Sequence, residues 1–172
     1  ARLLRRLSQV IRVPAVLEET ADTLILERID GEPLKRHVTP TRCRAAGQTV
    51  GKMHAAQIIH GDLTTSNILV EHIGKETGKP QAGKEKNDAP SDSARRTKAD
   101  RGQERIALVD FGLSFPSHKL EDMATDVHVF QELVPAECFE AFWKGYESAQ
   151  PKARDVAQRL EKLKGRGRYR SG

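Results

Sequence analysis

The sequence predicts an α+β fold, because short β-prone runs come first along the chain and helical patterns follow them. Strands are expected near Val13 to Glu18 and from Thr23 to Glu27, on either side of a turn at residues 20–22. A second pair of β-prone runs covers residues 67–70 and 106–109. The length of 172 residues is typical of a single domain.

The elements follow from local signals. The chain opens on an amphipathic pattern that predicts helix to about Gln9, so we expect it to begin inside a structural element. Pro14 cannot continue that helix. A cap and first turn at Thr39 and Pro40 predict a helix to about Ala56. Further helices are predicted from Asp122 to Leu133, from Glu137 to Tyr146, and from Pro151 onward.

Residues 71–105 are expected to form a disordered insert. Ile73 is their one large aliphatic residue, while Lys, Glu, Gly, Ser, Asp and Pro dominate. Such a segment cannot bury enough apolar surface to offset the entropy of ordering it. Its flanks look like two strands of one hairpin. An interdomain linker is the alternative, but neither side alone carries a complete core.

Charge and cysteine content exclude several classes. The formal charge is +5, and residues 152–172 hold eight basic against two acidic side chains, so the basic character belongs to the tail. Cys43 and Cys138 lie far apart in sequence and predict neither a disulfide framework nor a zinc site. No apolar run approaches the roughly 18 residues of a membrane span. We expect a soluble intracellular protein without a membrane segment.

The residues that predict chemistry lie between a helix and a strand. Asp62 and Asn67 share a loop, and Asp110 ends a later buried strand. A carboxylate can accept a proton from a hydroxyl or a water, while an amide oxygen and a second carboxylate can ligate Mg²⁺. This arrangement indicates phosphoryl transfer. His60 is expected to be a packed, hydrogen-bonded loop histidine rather than a catalytic base.

The run His-Gly-Asp-Leu-Thr-Thr-Ser-Asn at residues 60–67 and the later Leu-Val-Asp-Phe-Gly at 108–112 resemble a known family. It is the atypical serine/threonine kinase/ATPase of the KEOPS tRNA-modification complex, a PRPK-like family related to the RIO kinases. The resemblance implies a protein-kinase-like fold that is mainly the helical C-lobe. Its parts would be an N-lobe remnant (the end of helix C and two strands) with the hinge over 1–30, the C-lobe over 31–70 and 106–164, and a basic tail over 165–172.

The same resemblance implies the site. Asp62 would be the catalytic proton acceptor, and Asn67 and Asp110 would bind Mg²⁺. ATP would be held at adenine by the backbone around Glu27 and Ile29, with Leu69 as the floor of the pocket. Asp126 would be the helix acid that braces the catalytic loop; without the resemblance it would be taken for a surface acid.

Departures from the family leave activity in doubt. The sequence contains no G-x-G-x-x-G loop and no V-A-I-K strand, which supply the phosphate clamp, so most of an N-terminal lobe is expected to be missing. Gly61 stands where many kinases have an arginine, and Thr64 where many have a lysine directed at the γ-phosphate. ATP hydrolysis or slow autophosphorylation is therefore as credible as phosphorylation of a protein.

The resemblance also implies partners and a location. The partners would be the tRNA-modifying ATPase-fold subunit and a small kinase-binding subunit of KEOPS, with tRNA a further candidate through the basic tail, Lys162 to Arg170. The location would be cytoplasm and nucleus. Two other functions stay open: a small-molecule phosphotransferase of the aminoglycoside-kinase type, and a non-catalytic kinase-like scaffold.

Overall fold

The structure, a computed structural model, describes residues 1–73 and 103–167, with side chains up to residue 163. The chain begins with helix α1 (Arg2–Leu7), which buries Leu4 and Leu7. This helix ends two residues before the predicted Gln9. The amides of Val10 and Ile11 both bond the carbonyl of Leu7, so the chain turns tightly after the last helical residue.

Strands β1 (Val16–Glu19) and β2 (Leu24–Leu26) form the predicted antiparallel pair. Both are shorter than the sequence indicates. The first begins after Pro14, which has no backbone N–H to give to a strand ladder. The register shifts between Val16 and Glu18. This pair lies directly before the segment that the resemblance assigns to the hinge.

A three-stranded antiparallel sheet has the order β3 (Glu32–Pro33), β5 (Ile68–Ile73) and β6 (Gln103–Leu108). The predicted hairpin is confirmed, with Ile68 opposite Leu108 and Ile73 opposite Gln103. Strand β3 has no clear sequence signal, because two residues are too few to show alternation. Two short strands, β4 (Ile58–Ile59) and β7 (Phe115–Pro116), form a separate antiparallel pair. Strand β4 precedes the loop that leads to β5, and β7 follows the loop after β6.

The expected bounds of the disordered insert are too wide. Residues 71–73 and 103–105 belong to β5 and β6. Glu71 lies opposite Arg105, and the Arg105 Nε donates to its carboxylate at 2.9 Å, so the strands continue through polar residues. Composition alone cannot show such cross-strand pairing. The remainder of the expected insert, residues 74–102, lies outside the described residues.

Four α-helices and a short 3-10 helix (Leu34–Arg36) make up the rest of the regular structure in the described residues. Helix α2 (Pro40–Ala55) begins as predicted, with the Thr39 hydroxyl accepting from the Arg42 N–H at 3.4 Å. It buries Ala46, Val50 and Met53. The others are α3 (Leu120–Gln131), α4 (Ala136–Glu147) and α5 (Ala153–Gly167). Leu160 is buried and Leu163 packs on the core, so α5 extends into the expected tail; residues 168–172 lie outside the described part.

Helices α2 and α4 cross at unusually close range. A Cβ added to Gly47 would lie 1.9 Å from the Phe142 carbonyl oxygen, and one added to Gly145 would lie 2.0 Å from the Arg44 carbonyl oxygen. Phe142 also stacks on Phe130 of α3, with ring centroids 4.2 Å apart. Glycine therefore sets the distance between these helices, and the aromatic stack joins α3 to them.

The two cysteines, distant in sequence, meet between α2 and α4. Both are free and buried. Burial, together with the adjacent thiol of Cys138, raises the pKa of Cys43 to about 12. The Cys43 thiol stays protonated and behaves as a small apolar residue.

Across residues 1–73 and 103–167, the structure has no helix with the length and apolar character needed to span a bilayer.

Candidate active site

A single carboxylate holds the backbone of the loop between β4 and β5. Asp126 on α3 is 2% exposed and accepts from the His60 N–H at 2.7 Å and the Gly61 N–H at 2.9 Å. His54 on α2 contacts the same carboxylate through Nε2 at 3.2 Å. The expected bracing role is confirmed, and the alternative of a surface acid is wrong.

Gly61 is needed for the shape of this loop. Its φ is +83°, which side chains rarely adopt, and an added Cβ would lie 2.4 Å from the Leu113 carbonyl oxygen. The loop therefore passes directly against the backbone that follows Asp110. This close approach gives a physical reason for glycine at a position where many kinases have arginine.

His60 has the structural role that the sequence predicts. Its side chain is fully buried, and Nε2 lies 3.0 Å from the Val109 carbonyl oxygen. The Asp62 N–H donates to Nδ1 at 3.4 Å, which leaves Nε2 as the protonated nitrogen. Burial lowers the pKa of His60, and the nearby carboxylate of Asp126 offsets this only in part. The neutral ring ties the loop to the strand before Asp110.

The structure brings Asp62 and Asn67 into direct contact. The Asn67 side-chain nitrogen donates to the Asp62 carboxylate at 2.9 Å and to its carbonyl oxygen at 3.0 Å. Both bonds use the amide nitrogen, so they orient Asn67 without using its amide oxygen. That oxygen is the atom that a cation would bind.

Asp110 is joined to this pair through the backbone. The Val109 N–H donates to the Asn67 carbonyl oxygen at 3.0 Å, which places the residue after Val109 beside the start of β5. Asp110 is exposed and has φ +61°, a strained conformation for a side-chain-bearing residue. Such strain is typical of functional sites. The three residues predicted to carry the chemistry therefore share one end of the hairpin.

These residues fit Mg²⁺ better than a metal that needs a full protein cage. Asn67 and Asp110 offer one amide oxygen and one carboxylate, and a hard octahedral ion that keeps its waters needs few protein ligands. The described residues contain no group of three or more His, Cys, Asp or Glu side chains that could hold a metal. A structural zinc centre has no candidate among them.

The residues expected at adenine belong to β5 and to the segment between β2 and β3. Ile29 is buried, and Leu69 is half-buried in β5. Gly31, two residues after Ile29, packs on β5, since an added Cβ would lie 3.3 Å from the Leu69 Cβ. The segment after β2 therefore runs against the strand that follows Asn67. The Glu27 N–H is bonded to the Ala15 carbonyl oxygen, and its carboxylate is bonded to Arg12.

Sequence reasoning missed the residues that support the loop from a distance. The Tyr146 hydroxyl lies 2.9 Å from His54 Nδ1, so α4 is linked through His54 to Asp126. Burial raises the pKa of Tyr146, and its hydroxyl stays a donor. The sequence signal for this link was His54 itself, a polar residue on the apolar face of α2, four residues after Val50. Arg12, which binds two glutamates, had no local signal.

Comparison with curated proteins finds relatives over most of the chain. A probable serine/threonine-protein kinase Bud32 homolog of Archaeoglobus fulgidus is 32% identical over 166 residues, which cover 92% of this chain and 68% of that protein. A probable bifunctional tRNA threonylcarbamoyladenosine biosynthesis protein of Methanospirillum hungatei is 34% identical over 165 residues. The KEOPS complex subunit Bud32 of Pyrococcus abyssi is 26% identical over 189 residues, 99% of this chain and 72% of that one.

The chain spans only part of some relatives. The match with the Methanospirillum protein covers 92% of this chain but only 26% of that protein, about a quarter of its length. The model of the lipopolysaccharide kinase (Kdo/WaaP) family matches residues 17–81.

Solved structures confirm the kinase-like fold. WaaP in complex with acyl carrier protein superposes with a TM-score of 0.64 at 14% identity, covering 99% of this chain and 75% of that one. The Rio2 kinase–ADP/Mg²⁺–phosphoaspartate complex from Chaetomium thermophilum gives a TM-score of 0.50 at 15% identity, covering 98% and 52%. The predicted α+β, protein-kinase-like class is correct.

Proposed function

Because this chain belongs to the Bud32 family of serine/threonine-protein kinase-like proteins, we propose that it is the Mg-ATP-binding part of a kinase/ATPase of the KEOPS type. One observation carries the proposal: Asn67 is oriented by Asp62 and hydrogen-bonded to the backbone beside Asp110. A base and two oxygen ligands thus meet at one end of a hairpin. Phosphoryl transfer needs that set of groups together.

Each residue has a separate task. Asp62 accepts the proton of the attacking hydroxyl or water, and its contact with Asn67 keeps the carboxylate in place. Asn67 and Asp110 hold Mg²⁺, which, when bound, neutralises charge on the phosphate oxygens. The backbone near Glu27 and Ile29 would hold adenine, and Leu69 would supply an apolar surface for it. Asp126 touches no reacting atom and is a positioning residue.

The expected affinity for nucleotide is weak. The sequence contains no glycine-rich loop and no lysine-bearing V-A-I-K strand, which clamp phosphates in protein kinases. Each missing donor removes stabilisation from the transition state. We expect measurable Mg²⁺-dependent binding and low turnover from the chain as it stands.

The names of relatives support a role in tRNA modification. One is a probable bifunctional tRNA threonylcarbamoyladenosine biosynthesis protein, and another is a KEOPS complex subunit. The proposal includes docking to the tRNA-modifying ATPase-fold subunit and a small kinase-binding subunit, in cytoplasm and nucleus. The basic C-terminal residues add a candidate contact with tRNA phosphates, which salt-dependent binding before and after truncation at Leu160 tests.

A second candidate is a non-catalytic scaffold, favoured by the same missing phosphate-clamp motifs. Nucleotide titration separates the two, with ADP added in Mg²⁺ or in chelator. The proposal predicts tighter binding in Mg²⁺ for the unaltered chain and loss of that difference in Asp110→Asn. Asp155→Asn, which neutralises an exposed acid on α5, is the matched control. No binding of ADP in either condition supports the scaffold.

A further inference from the structure

A cluster of four charged side chains lies outside the proposed catalytic loop. Its members, called the Arg12 cluster below, are Arg12, Glu27, Glu71 and Arg105. Arg12 donates to both Glu27 oxygens at 2.7 and 2.5 Å and to both Glu71 oxygens at 3.2 Å. It also donates to the Val13 carbonyl oxygen at 3.1 Å. All five guanidinium N–H groups are thus used.

The Arg12 cluster joins two parts of the fold. Glu27 directly follows β2, and its carboxylate also accepts from the Ala15 N–H at 3.0 Å. Glu71 and Arg105 lie opposite each other in β5 and β6. The Arg12 backbone takes part as well, because its carbonyl oxygen accepts from the Leu108 N–H at 3.0 Å. One residue therefore ties the β1–β2 pair to the β5–β6 hairpin by side chain and main chain.

Two members of the cluster, Arg12 and Glu71, are protected from solvent in a way that a surface ion pair is not, whereas Glu27 and Arg105 are 33% and 48% exposed. The side chains of Arg12 and Glu71 are 20% and 10% exposed. Hydrogen bonds from Arg12 lower the pKa of Glu27 to about 2. Burial acts to raise the pKa of Glu71, but the bonds from Arg12 and Arg105 outweigh it and lower that pKa. By contrast, Arg5 and Glu19 form a pair with side chains 58% and 44% exposed.

Short stretches of chain connect this cluster to both ends of the proposed nucleotide site. Strand β5 begins at the residue after Asn67, and β6 ends two residues before Asp110. On the other side, Glu27 begins the segment assigned to adenine. The cluster therefore links the segment assigned to adenine, through Glu27, to the hairpin that carries the groups assigned to the metal, through Glu71.

We propose that Arg12 is a positioning residue that sets the spacing between the adenine-binding segment and the metal-binding hairpin. The inference rests on the proposed function. A nucleotide that must contact both parts binds best when they are already held at the right distance, since ordering them during binding costs affinity. Arg12 supplies that order through two forked contacts, which a lysine cannot make.

The test measures how strongly Mg²⁺ improves ADP binding. NMR titration gives the dissociation constant in Mg²⁺ and in chelator for the unaltered chain, Arg12→Met, Arg12→Lys and the milder Glu71→Gln. Metal and adenine contacts can form together only in a correctly spaced site. We therefore expect Arg12→Met to lower the ratio of the dissociation constant in chelator to that in Mg²⁺ by about fivefold or more. Arg12→Lys should not restore it. Arg5→Met, which removes the exposed pair, should keep the ratio of the unaltered chain.

The outcomes are distinct. If the unaltered chain shows no effect of Mg²⁺, the proposed function is wrong and the inference falls with it. If the unaltered chain shows the effect and both Arg12→Met and Glu71→Gln retain it, the inference alone is overturned. Equal weakening of both constants at an unchanged ratio also overturns it, because that result describes a purely structural residue. Glu71→Gln keeps the test decisive if Arg12→Met does not fold.

Discussion

Asp62 combines two features that a proton acceptor needs. The residue is partly exposed, which suits the approach of a substrate hydroxyl, and the Asn67 amide orients its carboxylate through a hydrogen bond of 2.9 Å. In the proposed function, this base acts on the attacking group and not on the nucleotide. Its removal should therefore affect the rate far more than affinity.

We expect Asp62→Ala to lower turnover by about 10²–10⁴-fold, the usual contribution of a general base, with little change in nucleotide affinity. Because the chain alone should turn over slowly, the rate is measured in a chimera that carries a glycine-rich loop and an ATP-binding lysine upstream. Asp155→Asn in the same chimera is the control. Comparable losses in rate and affinity would show that Asp62 supports the loop structurally.

His60 gives a prediction about pH. Burial lowers its pKa from the ordinary 6.5, so the unfolded chain takes up the proton more readily than the folded one. The stability that the neutral ring contributes is present above pH 6.5 and is lost on acidification below it. ¹⁵N NMR at pH 6.5 should find His60 neutral with the proton on Nε2, and half protonated in urea. Half protonation in the folded chain would contradict this.

Several site residues could be predicted from sequence and others could not. Asp62, Asn67 and Asp110 stand out because phosphoryl transfer needs those groups in that order along the chain. Asp126 required the family resemblance, since one acid on a helix has no local mark of burial. Tyr146 was not predicted, because its contact with His54 joins helices that are distant in sequence.

At the scale of elements, the α2–α4 crossing is the tightest contact described above. Gly145→Ala would place a methyl group 2.0 Å from the Arg44 carbonyl oxygen. The gain in helix propensity is about 1 kcal/mol, whereas overpacking against backbone costs typically 1–3 kcal/mol and sometimes more. The backbone cannot rotate away as a side chain can, so the cost should be the larger effect.

We therefore expect Gly145→Ala to lower the free energy of unfolding by about 1 kcal/mol or more, which is the overpacking cost less the gain in helix propensity. Urea unfolding measures the change. Gln48→Ala, at an exposed position on α2, is the control and should be neutral or slightly stabilising. An unchanged midpoint for Gly145→Ala would mean that the two helices separate at little cost.

The β5–β6 hairpin predicts that residues 74–102 are dispensable for the fold. Ile73 and Gln103 face each other in register, so a two-residue Asn-Gly turn can join them. Shortening a loop favours closure by about 0.6 kcal/mol for each halving of its length. The shortened protein should keep its thermal midpoint or exceed it. Failure to fold would show that the segment contributes to the core.

Element prediction worked where the local signal was strong. The Thr39–Pro40 cap placed the start of α2 correctly, because a side-chain acceptor and a proline at the first turn both favour helix entry. The polar composition of residues 71–105 made the predicted strands β5 and β6 too short. These strands continue because Arg105 donates a hydrogen bond to Glu71 across the sheet. Strand β3 was missed because Glu32 and Pro33 are extended only through pairing with β5.

For the whole molecule, the α+β class followed from the β-prone and helical runs, and the kinase-like fold followed from the order of the motifs. An acid and an amide before a hairpin, with a second acid after it, is the order that brings Asp62, Asn67 and Asp110 together when β5 and β6 pair. The close contact of Cys43 with Cys138 had no such signal. Packing between distant helices depends on side-chain shape, which a single sequence does not show.

In the proposed function, Asn67 and Asp110 form the metal end of a nucleotide site. Mn²⁺ prefers the same oxygen ligands as Mg²⁺, and its unpaired electrons broaden nearby NMR signals. Substoichiometric Mn²⁺ with ADP should broaden the amide signals of Asn67, Val109 and Asp110 first, and Asp110→Asn should abolish this selectivity. Broadening centred elsewhere, such as on Glu121 and Asp122 at the start of α3, or equal in both proteins, would contradict the account.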